Sequence, residues 1–250
     1  MKKNKTEATV AVLTESDTLQ HLLSRVHLKG IIEECVLVVE DGIASVQAID
    51  ISNTVFLSAT EKIPELPNAT IGIGNLTTIC KFLTDAKKLE LSLLPKKWLL
   101  LKRKGFGQIK SQLLDAKSVP TAVEEPVEHK ALAAKMQVEL ELSQKCVEEL
   151  NYFTSLITTK SLVLSAKKGI VSIHSNPNDP QQFRFVLTKK AKKDYEGSVC
   201  VFTNFLLAVM QTLAWADDKK SKPVLMMGDE QPLLIQQNKT NYWAVVPISQ

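Results

Sequence analysis

Gly42-Ile43-Ala44-Ser45-Val46 returns, 127 residues later, as Gly169-Ile170-Val171-Ser172-Ile173. Each copy follows an apolar, β-like run and a turn, Asp41-Gly42 in one case and Lys168-Gly169 in the other. An apolar run, a turn ending in glycine and a second apolar run read as a β-hairpin. A second pair keeps nearly the same spacing: Asn75 opens a helical pattern, and Asn204 opens another 129 residues on. A constant offset near half of the 250-residue length signals a duplicated domain.

Outward from these repeats, the remaining elements take their places. Met136-Gln137-Val138-Glu139-Leu140-Glu141-Leu142 alternates apolar and polar residues, the pattern of a half-buried strand. Gln182 to Leu187 alternates as well, with Phe183, Phe185 and Leu187 on one face. Four helices are expected. Leu19, Leu22, Leu23 and Val26 form the apolar stripe of the first, with Ser16 or Asp17 as its cap. The second spans Asn75 to about Ala86, the third Ser143 to about Ile157 and the fourth Asn204 to about Ala216. Ser143, Asn75 and Asn204 supply side-chain acceptors for free helix N–H groups. Between the halves, Pro120 and Pro126 break a stretch without periodicity. The expected layout is one domain over 1–118, an extended linker over 119–131 and a second domain over 132–250.

Composition narrows the function. Lys plus Arg total 31 against 27 Asp plus Glu, a net charge of +4, with 44% hydrophobic and 23% charged residues. That balance belongs to a folded domain and not to a disordered chain. The apolar run Phe205 to Met210 falls far short of the roughly 18 residues a membrane span needs, and the basic start Met1 to Thr6 leads into no apolar signal segment. Cys35, Cys80, Cys146 and Cys200 are scattered without a CxxC pair, so they read as buried thiols.

Catalytic chemistry finds no support. His21, His27, His129 and His174 lack metal-ligand spacing, and the sequence carries neither a GxSxG elbow nor a phosphate-binding GxxxxGK[ST] loop. Ile71-Gly72-Ile73-Gly74-Asn75 contains a GxG but no third glycine, so it is no dinucleotide fingerprint. The expectation is a protein without catalytic residues, metal or cofactor. The cations are more informative. Arg25 with Lys29, Lys81 with Lys87 and Lys88, Lys145, and Lys219 with Lys220 fall on or just beyond the polar faces of the four helices. Cations repeated on every helix favour a surface turned to phosphates. Those faces show no aromatic stacking partner, which argues against single-strand recognition.

Taken together, these segments resemble the DNA sliding clamps of the proliferating cell nuclear antigen type, including the tailed-bacteriophage clamps. Asp41 to Val55 resembles the clamp's glycine turn, strand, Asp and nearby Ser. Asn75 to Leu83 is similar to its second helix, lysine included, and Asn241-Tyr242-Trp243-Ala244-Val245-Val246-Pro247 to its last strand. The pattern covers nearly the whole chain.

The resemblance implies an α+β, duplicated two-domain DNA-clamp fold that forms a ring, with antiparallel sheets outside and four helices lining a channel. It implies a homotrimer around double-stranded DNA, bound without sequence specificity, that tethers a DNA polymerase as its processivity factor and needs a clamp loader. Arg25, Lys29, Lys81, Lys87, Lys145 and Lys219 would line the hole. Gln108 and Ile109 from one edge strand, and Phe183, Arg184 and Phe185 from another, would form the subunit contact. Ile49, Val123, Val127, Val246 and Pro247 would wall a partner-docking pocket under the linker. The setting would be intracellular, at a cellular, viral or phage replisome, with no membrane. One departure stands out: such clamps are usually acidic, whereas this chain is at +4. The alternative that fits a basic face is a monomeric polymerase accessory subunit of the herpesvirus type.

Overall fold

The computed structural model describes residues 9–13, 16–84, 88–94, 98–103, 105, 107–120, 129–188, 195–215, 222–238 and 240–248. The chain divides into two compact units, Met1–Ile49 with Ser58–Thr121 and Asp50–Leu57 with Ala122–Gln250. None of the described helices is long and apolar enough to cross a membrane.

The first repeat runs β1 (Thr9–Leu13), α1 (Ser16–His27), a 3-10 turn (Leu28–Gly30), β2 (Cys35–Glu40), β3 (Ile43–Ile49), β4 (Val55–Lys62, of which Val55–Leu57 belong to the second unit), β5 (Ala69–Ile73), α2 (Leu76–Leu83), β6 (Leu89–Leu94), β7 (Trp98–Arg103) and β8 (Gly107–Leu114). The second runs α3 (His129–Ala134), β9 (Val138–Glu141), α4 (Gln144–Leu156), β10 (Ser161–Lys167), β11 (Ile170–Ser175), β12 (Arg184–Thr188), β13 (Gly197–Phe202), α5 (Thr203–Thr212), β14 (Val224–Met227), β15 (Leu233–Gln237) and β16 (Asn241–Val245). Strand order is β1-β6-β7-β8 and β5-β2-β3-β4 in one, and β9-β14-β15-β16 and β13-β10-β11-β12 in the other. Element for element the two orders coincide, so the duplication is real at the level of topology.

The two hairpin turns explain the sequence repeat. Asp41 and Gly42 have φ of 49° and 75°, and Lys168 and Gly169 have 51° and 79°. Two consecutive residues at positive φ make the two-residue turn whose twist matches antiparallel strands, and glycine takes the second place at no steric cost. Register follows: Glu40 faces Ile43, and Lys167 faces Ile170.

The expected caps are found at α2 and α4 but not at α5, and in α1 Ser16 and Asp17 fall inside the helix, the residue before it lying outside the described residues. Asn75, itself at φ 56°, accepts from the Thr78 amide, and Ser143 accepts from the Cys146 amide. Asn204 is not the cap of α5: the helix opens at Thr203, whose amide donates to the Lys160 carbonyl over 3.0 Å. A backbone carbonyl thus does what the side chain was expected to do. The second helix stops at Leu83 before Thr84, short of the expected end. The linker is corrected too. Its last residues are not extended but begin α3, because Leu132 finds an apolar seat. Residues 121–128 lie outside the described residues.

Each unit keeps its own apolar interior. Leu13, Leu22, Leu23, Leu57 and Leu83 are among the fully buried side chains, as is Trp243. A buried leucine contributes about 1.5–3 kcal/mol, so these stripes hold the helices to the sheets. The GxG also has a packing reason. A Cβ on Gly72 would lie 2.8 Å from the Leu114 carbonyl oxygen, so this glycine admits the close approach of β8.

Candidate nucleic-acid and partner interfaces

On the helices of the first unit the cations do not all face solvent. Arg25 is 9% exposed and ion-paired with Glu61 of β4. The stripe that aims Leu22, Leu23 and Val26 inward carries Arg25 partly inward as well, so it is a structural cation and not a free one. Lys29 is exposed at φ 55° in the turn after α1, and Lys81 is exposed on α2. Lys88 is exposed just before β6, whereas Lys87 lies outside the described residues.

Beside Lys29 and Lys81 a polar network ties α1 to α2. His27 Nε2 lies 2.7 Å from Thr77 Oγ1 and 3.6 Å from a Glu33 carboxylate oxygen. The Thr77 amide donates to Glu33 over 3.1 Å, and the Thr77 hydroxyl donates to the same carboxylate. Burial would raise the Glu33 pKa, but the Thr77 bonds and the neighbouring His27 outweigh it and hold the carboxyl below its ordinary value. Glu33 therefore serves as an anionic cap on the positive end of α2.

The second unit's helices differ. Lys145 is exposed but lies 3.8 Å from Glu149 one turn on, and Glu148 accepts from Gln144 over 2.8 Å. Exposed pairs of this kind contribute little to stability. Farther along the same face stand Tyr152, 61% exposed, and Leu156, 57% exposed. The expectation of helix faces without aromatics is therefore corrected at Tyr152. Asn151 accepts from Gln211 of α5 over 3.1 Å. Lys219 lies outside the described residues.

The two edge strands are well defined. Gly107–Leu114 meets β7 along Gly107 to Gln112 and β5 only at Leu113 and Leu114. Gln108 is exposed and Ile109 half-buried, and Lys110 Nζ sits 4.4 Å from the Trp98 ring centroid. Among the described residues β12 pairs only with β11. Arg184 is exposed, but Phe183 is 9% exposed and stacks on Phe153 of α4 with centroids 5.7 Å apart. Phe185 lies 6.0 Å from the same ring. The phenylalanines thus pack toward Phe153 within their own unit, while Arg184 and Val186 of β12 are exposed. A cavity of about 390 Å³ opens beside them, lined among others by Ser165, His174, Gln182 and Arg184.

Of the expected docking residues, Ile49 is half-buried at the end of β3, and Val246 and Pro247 are half-buried after β16. The Val246 amide donates to the Thr54 carbonyl over 2.8 Å, which ties the last residues to the loop after Asp50. Asp50 itself is 2% exposed and accepts from the amides of Ser52, Thr54 and Val55. Val123 and Val127 lie outside the described residues.

Sequence reasoning missed a more definite apolar feature. Leu132 of α3 packs with Met226, Leu234 and Ala244, flanked by Phe56, Ala133, Met136, Val224 and Tyr242. The signal was there: Val224 to Met227 and Leu233 to Ile235 are unbroken apolar runs, as expected of strands covered on both faces.

No protein-family model matches the sequence, and no curated protein matches it. Solved structures do. PCNA from Thermococcus kodakaraensis superposes with a TM-score of 0.71 at 16% identity, over 97% of this chain and 100% of that one. The PCNA2-PCNA3 complex from Sulfolobus tokodaii gives 0.68 at 13%, over 97% and 100%. The PCNA of A. fulgidus, solved with the C-terminal region of FEN-1 bound, gives 0.71 at 13%, over 96% and 98%. At such low identity the likeness speaks for architecture alone, and the architecture of this chain is the PCNA clamp fold.

Proposed function

We propose that this protein is a DNA sliding clamp and polymerase processivity factor, built as a homotrimeric ring around duplex DNA. The observation that carries the reading is the end-to-end match: 97% of this chain superposes on 100% of a PCNA chain. The reading divides the chain into two clamp domains, 1–118 and 132–250, joined by a linker over 119–131. The mechanism is topological. A closed ring cannot leave DNA sideways, so it needs no strong or base-specific contact. Lys29 and Lys81, exposed and without a carboxylate partner among the described residues, supply loose, water-separated attraction to phosphates. Lys87, Lys145 and Lys219 complete the proposed lining, and the buried Arg25 drops out of it.

In this reading the free edge of β8, at Gln108 and Ile109, pairs with β12 of a neighbouring copy, and Arg184 and its cavity receive a side chain from that neighbour. An unpaired edge next to apolar residues invites aggregation, and such pairing removes it. Ile49, Val246 and Pro247, with Val123 and Val127, belong to the surface that docks the polymerase and the loader.

Light scattering at physiological salt tests the ring: a mass near three times 27.7 kDa is expected. A mass of one subunit at high protein concentration overturns it. Given a loader, retention on closed circular DNA and loss from linear ends would follow; equal retention on both would instead indicate a face-binding monomer.

A further inference from the structure

The first strands of the two repeats stand at matching places with opposite protection. Each leads into a helix, and among the described residues each pairs on one side only, β1 with β6 and β9 with β14. Ala11 and Leu13 are buried, as are Leu140 and Leu142 at the positions 129 residues on. At the outward positions β9 carries the exposed Glu139 and Glu141, whereas β1 carries Val10 and Val12, 54% and 57% exposed. An edge strand offers unpaired N–H and C=O groups, and charged side chains on it discourage pairing with another chain. The second repeat has that safeguard and the first lacks it. A cavity of about 400 Å³ opens beside Val12, lined also by Lys88, Leu89, Glu90 and Lys102. Along the outward row Val12 faces Glu90, and Glu90 faces Lys102, whose Nζ lies 3.8 Å from the glutamate. Lys88, next to the Leu89 that faces Leu13, is exposed and has no carboxylate partner among the described residues.

We infer that β1 is a docking edge for an extended, acidic segment of another protein, which adds a strand antiparallel to β1 and sets a carboxylate against Lys88. Main-chain hydrogen bonds supply the attachment, and Val10 and Val12 pack on alternate side chains of the incoming strand. The cationic cavity at the Leu13 end selects the acid. Antiparallel addition puts the start of the incoming segment beside that end, so the acid comes first and β-branched residues follow. Charge argues against two other occupants. The start of this chain carries Lys2, Lys3 and Lys5, like in sign to Lys88 and Lys102. A two-fold pairing of β1 with β1 of a second copy would run that basic start toward Lys88 of the second copy. In the order β1-β6-β7-β8, β1 and β8 lie at opposite ends, so strand addition here leaves the proposed subunit pairing at β8 untouched. The inference goes beyond the clamp reading and does not rest on it.

The probe is a fluorescein-labelled hexapeptide, one aspartate followed by alternating valine and threonine, titrated by anisotropy without DNA. Wild type should bind it saturably. Val10→Glu with Val12→Glu, which copies the charges of β9, should weaken binding about tenfold or more. Lys88→Glu should weaken it about fivefold, most at low salt, and should recover it when lysine replaces the aspartate of the peptide. Equal binding by wild type and a folded Val10→Glu, Val12→Glu protein overturns the inference, as does an affinity indifferent to the leading charge of the peptide. A doubling of the wild-type mass in solution that the two glutamates reverse would make a second copy the occupant, and overturns it too. Where the double variant does not fold, N-methylated peptides on wild type decide. Methylation of one alternate set of amides should abolish binding and methylation of the other set should spare it; equal binding of both overturns the inference. Because the peptide readout needs neither ring nor DNA, a failed trimer test and a failed peptide test remain distinguishable.

Discussion

The two units repeat one topology with different chemistry at corresponding places. The Leu76 amide at the start of α2 donates to the Glu33 carbonyl, and 127 residues later the Thr203 amide at the start of α5 donates to the Lys160 carbonyl. The backbone bond survives while the side chain beside it changes sign. At the corner after β3 of the first repeat, the buried Asp50 carboxylate accepts three amides; at the matching corner after β11, the Asn176 side chain accepts the Asn178 amide over 2.9 Å and donates to Ser161 Oγ over 3.2 Å. The helix surfaces diverge further, toward Lys29 and Lys81 in one unit and toward Tyr152, Leu156 and a Lys145–Glu149 pair in the other. Buried periodicity and hairpin turns specify the fold, so both copies must keep them. Solvent-facing positions carry no such obligation and are free to specialise.

The corners offer the largest contrast. Asp50→Ala removes a charged acceptor and leaves the Thr54 and Val55 amides without their 2.6 Å partner. A cost of about 2–4 kcal/mol in denaturant unfolding is expected, against about 1 kcal/mol for Asn176→Ala. Equal costs would mean that the buried carboxylate is not what holds the first corner. Asp50→Ala should also loosen the last residues, because the Thr54 carbonyl accepts the Val246 amide.

Next in size is the response to DNA under the clamp reading. Replacing Lys29 and Lys81 together with alanine should weaken association with duplex DNA about tenfold at moderate salt. The slope of log K against log salt should fall by roughly one to two, about one for each phosphate that a lysine no longer neutralises. Lys145→Ala should change the affinity by less than about twofold, because Glu149 already occupies that lysine. Anisotropy titrations at several salt concentrations measure both. If Lys145 matters as much as the pair in the first unit, the asymmetry between the helix surfaces has no bearing on DNA.

Much of this was legible in the residues. The hairpins at Asp41-Gly42 and Lys168-Gly169 are local events, encoded by turn chemistry and flanking apolar runs, and so was the Ser143 cap. Three features were not. A sequence stripe places Arg25 near the polar face, but its burial depends on Glu61, 36 residues away on another strand. Likewise, α3 forms because Leu132 meets Met226 and Leu234, partners that no window around the linker contains. The edge phenylalanines show the same limit: alternation reveals that Phe183 and Phe185 share a face, not that Phe153 waits on that side. Local patterns name elements, and long-range contacts decide which faces remain available.

The smallest expected effect tests the helix-start contrast by pH. Glu33 has its pKa lowered in the fold from an ordinary value of 4.5. A depressed carboxyl contributes stability that is fully present above the unfolded value and lost as pH falls through the folded one. Glu33→Gln should therefore lower the melting temperature near neutral pH by about 1–3 °C, a modest amount because the carboxylate is half exposed. The gap between variant and wild type should shrink below about pH 4.5. Lys160→Gln, at the matching place beside α5, should show no such narrowing, since no carboxylate caps that helix among the described residues. A pH-independent gap for Glu33→Gln would show that the Thr77 contacts act by shape and not by charge. Narrowing in both variants would mean that the acid sensitivity comes from elsewhere in the protein, and that the sign change between Glu33 and Lys160 has no energetic consequence.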